Sequence, residues 1–125
     1  MILVDTSVWV DHLRSGAPTL AAELERGNVL THPFVVGELA CGNLKQRGEI
    51  LELLDELPKA PVATDREALD FIERRALMGR GIGYIDVHLL VSAALAGPAR
   101  LWTRDRRLAA VSAALDLAHS VVRKK

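Results

Sequence analysis

The chain has 125 residues and a single cysteine, Cys41, so no internal disulfide can form. Cys41 lies in an apolar stretch and is expected to be a buried structural thiol, not a nucleophile. Neither sign of charge is in excess, because 16 Lys and Arg balance 16 Asp and Glu. A nucleic-acid partner would therefore have to meet a local basic surface, not an overall field. No apolar run approaches the roughly 18 residues of a membrane span, and no basic lead opens onto a long apolar segment. A soluble, cytoplasmic protein with no membrane partner is expected. Internal repeats and low-complexity linkers are also missing. No Ser–His or Cys–His pair presents itself, which argues against a covalent nucleophile. What is present is an apolar half, enough for the core of one domain over residues 1–122, followed by a basic tail of Arg123, Lys124 and Lys125.

The chain is organised around its opening, Met1-Ile2-Leu3-Val4-Asp5-Thr6-Ser7. Ile2, Leu3 and Val4 form a continuous apolar run, as in a strand covered on both faces of a parallel sheet. Asp5 ends that strand, and Thr6 or Ser7 is placed to cap the helix that follows. Ligands bind at this edge of open parallel sheets, although an Asp in such a turn is also a common cap. The pattern then predicts helices at Ser7–Leu13, Thr19–Arg26, Pro33–Cys41, Asn43–Leu57, Arg66–Met78, Tyr84–Ala96 and Arg106–Leu115. Strands are expected at Asn28–Thr31, minimally at Val62–Ala63, at Arg100–Trp102 and at Leu117–Val122.

Three more acids stand out. Glu38 is surrounded by Phe34, Val35, Val36, Leu39 and Ala40, where a charge needs a partner. Asp86 opens a helix that is apolar nearly all round, and a helix-start charge is its bland explanation. Thr103-Arg104-Asp105 repeats the opening device of strand end, hydroxyl and acid. His88 and His119 are isolated and are weak ligand candidates. The glycines between Gly79 and Gly83 are not a nucleotide loop, since no strand leads in and no Lys-Ser/Thr follows. A right-handed βαβ chain that grows first to one side of its opening strand and then to the other leaves a crevice, with Asp5 and Asp105 facing across it. Four carboxylates in one pocket repel unless a proton or cation compensates, and an all-oxygen donor set points to Mg²⁺ or Mn²⁺ in preference to zinc.

In this order, the segments ILVDTSVWVDHLR, VVGELACG with Glu38, GIGYIDVHLLVSAAL with Asp86 and LWTRDRRL with Asp105 resemble the PIN-domain nucleases, specifically the VapC-like toxins. The resemblance spans essentially the whole chain. It implies an α/β three-layer fold, a central mainly parallel sheet of four to five short strands flanked by helices. It also implies that Asp5, Glu38, Asp86 and Asp105 are the catalytic and metal-binding quartet, supported by Thr6 and Thr103. Many relatives carry an aromatic residue where this chain has Leu108, a change that should touch packing more than chemistry. The implied activity is metal-dependent hydrolysis of RNA. Arg104, Arg106 and Arg107 either contact phosphates or are the solvated surface of a basic helix start. A VapB-like antitoxin and a homodimer are implied as partners, and Val8, Trp9, Leu13, Leu20 and Leu24 either line an antitoxin groove or are core. The alternatives are a PIN-fold nuclease of RNA processing and a catalytically silent interaction domain. A phosphatase would want a second acid where Ser7 stands, and a receiver module would want adjacent acids and a late Lys.

Overall fold

A computed structural model describes residues 1–97 and 99–120. Three strands, β1 (Ile2–Val4), β2 (Val29–Leu30) and β3 (Arg100–Trp102), form a parallel sheet in the order β2-β1-β3. Register pairs Ile2 with Val29 on one side, and Ile2, Leu3 and Val4 with Arg100, Leu101 and Trp102 on the other. The central strand is buried along its whole length, as its unbroken apolar run demands.

Against an expected four to five strands, the described residues form three. The sheet is prolonged only by single parallel bridges, Thr31 to Lys59 and Leu101 to Ala118. The outer edge therefore lies at Lys59, not at Val62–Ala63, because Thr31 N and Ala60 N exchange bonds with Pro58 O and Thr31 O at 2.8 and 2.9 Å. Of the strand expected at Leu117–Val122, Leu117 and His119 make ladder-like bonds to Leu101 at 2.7 and 2.9 Å. Its last two residues and the basic tail lie outside the described residues.

Among the described residues seven helices surround the sheet: α1 (Thr6–Ser15), α2 (Pro18–Glu25), α3 (Pro33–Ala40), α4 (Arg47–Glu56), α5 (Asp65–Arg75), α6 (Tyr84–Leu95) and α7 (Arg106–Ala114). Local chemistry fixes their starts. Pro33 pre-sets φ in the first turn of α3, where its missing N–H costs nothing. Thr64 and Glu67 close a reciprocal capping box on α5, with bonds of 3.1 and 3.0 Å. Helix α6 is buried from Val87 to Ala93, as expected for a helix with no polar face.

The core joins Leu3, Val4, Trp9, Leu20, Leu89, Leu90, Leu101 and Leu108. Val8, Trp9 and Leu20 belong to that core, and Leu13 and Leu24 pack against it half-buried. Val8, Trp9 and Leu20 are thus interior, whereas Leu13 also lines a cleft beside α1. Cys41 is exposed, contrary to expectation, because α3 ends at Ala40 and carries the thiol past the core.

Candidate active site

Asp5 leaves the carboxyl end of β1 and is 7% exposed. It occupies the N-cap position of α1, yet its side chain caps nothing. Its Oδ2 instead accepts hydrogen bonds from Ser7 Oγ at 2.8 Å and Thr103 Oγ1 at 2.7 Å. A hydroxyl has one proton, so both protons are spent on Asp5. The 3.3 Å approach of the two hydroxyl oxygens is then a contact, not a further bond. Their lone pairs are also used, since Arg104 N donates to Ser7 and Asp105 N donates to Thr103, both at 3.0 Å. The turn after β3 is therefore fastened to the turn after β1 through two hydroxyls and one carboxylate.

The other acids arrive from separate elements. Glu38, from the last turn of α3, accepts from Thr6 Oγ1 at 2.8 Å. It is exposed, and this hydroxyl is the partner that its apolar neighbours call for. Asp86, in the first turn of α6, accepts from Gly83 N at 3.1 Å. Glycine offers no side chain in return, so this is half a capping box. Asp105 is a true cap of α7, with Oδ1 accepting from Leu108 N at 3.0 Å. Burial pushes the Asp86 carboxyl above its ordinary range; the Gly83 bond opposes this, and the charges of Asp5, Asp105 and Glu38 add to it. That coupling unites the four acids in one field.

A pattern runs through all four. Each has one oxygen held by a protein donor, while the opposite one, Asp5 Oδ1, Glu38 Oε2, Asp86 Oδ1 and Asp105 Oδ2, meets no protein donor among the described residues. No group of three or more His, Cys, Asp or Glu among the described residues is drawn tightly enough to hold an ion unaided. The donor chemistry nevertheless fits a hard divalent cation: oxygens only, oriented from behind and mutually repelling.

Of the expected supporting residues, Thr103 holds Asp5 and Thr6 holds Glu38. Ser7, expected only as a cap, joins the site as a second donor to Asp5. The signal was its offset of two residues from the strand-end acid, which returns a short side chain to that acid. Among the arginines, Arg104 Nε is paired with Asp11 Oδ2 at 3.0 Å. Arg107 lies against Gly81, whose φ is +79° and where a Cβ would come within 2.7 Å of Arg107 Cδ. Arg106 is exposed. His88 is buried beside Phe34 and Tyr84, and His119 stacks near Trp102. Neither reaches the acids.

The PIN-domain family model matches residues 2–114, and the chain belongs to this family of PIN domains. Within it, the chain is VapC-like. It is 51% identical over 113 residues to Ribonuclease VapC32 of Mycobacterium tuberculosis, in strains CDC 1551 / Oshkosh and ATCC 25618 / H37Rv, covering 90% of this chain and 91% of the relative. PAE2754 from Pyrobaculum aerophilum shares the fold in its crystal structure, with a TM-score of 0.60 at 17% identity over 88% of this chain and 78% of that one.

Proposed function

We propose that this protein is a VapC-like ribonuclease toxin that hydrolyses RNA phosphodiester bonds with Mg²⁺ or Mn²⁺ and is neutralised by a VapB-like antitoxin. One observation carries the metal-dependent reading: four carboxylates from four elements, each with one oxygen tied back and the other without a protein donor among the described residues. Asp5, Glu38, Asp86 and Asp105 would hold the cation, which when bound supplies an activated water and offsets charge on the scissile phosphate.

The remaining residues position and bind. Ser7 and Thr103 fix the Asp5 carboxylate, and Thr6 fixes Glu38. Arg106 and Arg107, at the start of α7, are the cations for flanking phosphates. Arg104, exposed and paired with Asp11 only through its Nε, adds a third cation. No described helix is long and apolar enough to cross a membrane, in keeping with work in the cytoplasm. Apolar side chains stand exposed on α5, α6 and the turn between them at Leu69, Met78, Tyr84 and Ile85, and support a homodimer that pairs two sites.

The test is incubation of purified protein and its Asp5→Asn variant with total RNA, with Mn²⁺ or with chelator, followed by sequencing of the cut ends. Discrete ends are expected only with wild type and metal; ends that persist in the variant or with chelator would overturn the assignment. Expression without antitoxin should arrest growth, and unimpaired growth with abundant soluble protein would count against the toxin reading. Light scattering at micromolar concentration should give the mass of two chains, and a monomer would rule out the pairing.

A further inference from the structure

Beside Glu38 a cleft of about 620 Å³ opens between α1, the end of α3 and the turn leading into α4. We propose that it is a nucleobase pocket, which receives one unpaired base of the substrate next to the scissile phosphate and so sets the cleavage position. The proposal rests on the ribonuclease reading and extends the same site.

Four observations favour a nucleotide over a protein segment. The cleft is continuous with the catalytic centre, because Glu38 lines both. Its floor is aliphatic, with Leu13, Leu39 and Ile50, a surface on which a flat base can lie. Its rim carries Arg14 and Lys45, with Glu38 the only acid of the lining. That sign suits phosphates on either side of an inserted base, and an Arg guanidinium plane can stack on the base itself.

Its polar groups are amides and an imidazole, the groups that read base edges. Asn43 and Gln46 are exposed at the mouth. His12 Nδ1 accepts from Ala17 N at 3.0 Å, which leaves Nε2 as the ring's donor. The turn is also built to hold a shape. Arg47 donates to Ala40 O at 2.6 Å and Gly42 O at 3.1 Å, bracing residues 41–46 across the end of α3. Gln46 sits in the left-handed region at φ 54°, ψ 44°, a strained state for a non-glycine residue that ligand clamps are known to retain.

The full-length protein is titrated with the 5′-monophosphates of adenosine, guanosine, cytidine and uridine, and with ribose 5-phosphate as the base-free control, without divalent metal and with amide NMR as readout. At least one nucleotide should bind tenfold or more tightly than ribose 5-phosphate, with its largest shifts at Gly42–Gln46. The advantage should fall below threefold in an Asn43→Ala/Gln46→Ala variant, whose altered side chains are exposed. Gln46→Gly, which relieves the left-handed strain, should lose it too.

Equal binding of all five ligands, or shifts that bypass this turn, would overturn the pocket. So would an amphipathic helical peptide that shifts these amides when no nucleotide does, since the cleft would then belong to a protein partner. These results need no RNA cleavage, so failure of the ribonuclease reading is seen separately, as uncut RNA in the presence of Mn²⁺. If the wild type cuts, the double variant should spread its cuts over more base contexts; an unchanged set of ends would remove the pocket and leave the ribonuclease standing.

Discussion

Replacing Asp86 by Asn decides whether the four acids form one electrostatic unit. The substitution keeps the shape, and an Asn Oδ1 can still accept from Gly83 N. Two opposed terms follow. A negative charge at a helix start contributes about 0.3–1 kcal/mol, and losing it is unfavourable. Against this, the charge is partly buried and faces Asp5, Asp105 and Glu38, which together with burial hold its carboxyl above the usual range. At a nominal separation of ~8 Å, two unit charges repel by about 0.5 kcal/mol in bulk water and about 2 kcal/mol at an effective dielectric of ~20. Three such neighbours outweigh the dipole, so metal-free Asp86→Asn should gain about 1 kcal/mol, or roughly 3–5 °C in melting midpoint for a chain of this size. The assay is thermal unfolding at pH 7 and low salt, with and without Mn²⁺. The variant should melt higher without metal, gain less from Mn²⁺ than wild type and lose RNA cleavage. A variant that melts lower, keeps its full Mn²⁺ response and still cuts RNA would refute the shared site.

Further outcomes follow from other bonds. Thr103→Val removes the hydroxyl that Asp5 and Asp105 N share, and should cost about 1–3 kcal/mol and at least tenfold in kcat, checked by denaturant unfolding and single-turnover cleavage. Burial, then the charge of His88, lowers His32 to about 4 from its ordinary 6.5. Its folded form thus resists protonation: the stability it supports is complete above pH 6.5 and is lost as pH falls toward 4, by up to about 3 kcal/mol. His32→Asn, which keeps an acceptor for Phe34 N, should flatten this part of the stability–pH curve, and an unchanged slope would exclude His32 as its source. Leu3→Ala, at a fully buried position of the central strand, should cost about 2–5 kcal/mol, and a loss below 1 kcal/mol would contradict the packing described.

Much of this was legible in the chain because local and global signals agree. The run Ile2-Leu3-Val4 gave a covered central strand, and the seven described helices lie near where apolar period and proline put them, except that α4 starts at Arg47 and not at Asn43, and α5 ends at Arg75 and not at Met78. The quartet could be picked out because each acid sits where a strand or helix changes, or where its neighbours are apolar. What escaped depends on three-dimensional end effects. Cys41 looked buried from its apolar neighbours, but α3 ends at Ala40 and carries the thiol past the core. Ser7 looked only like a cap, because its offset of two residues from Asp5 serves a helix start and a carboxylate equally well. The outer strands shrank to single bridges because Lys59 and Ala118 each add one pairing and no side-chain layer.

The pairing of Val4 with Trp102 also sets a clock on the ribosome. Once β1 has emerged, about a hundred further residues must be made before its second neighbour exists, a delay on the order of 5–20 s at ordinary elongation rates. Until then Asp5 lacks Thr103, Asp105 has not been synthesised, and β1 has one flank open. The four acids therefore cannot share one field until the segment carrying Thr103 and Asp105 has been made, which separates formation of the first strand from completion of the cluster.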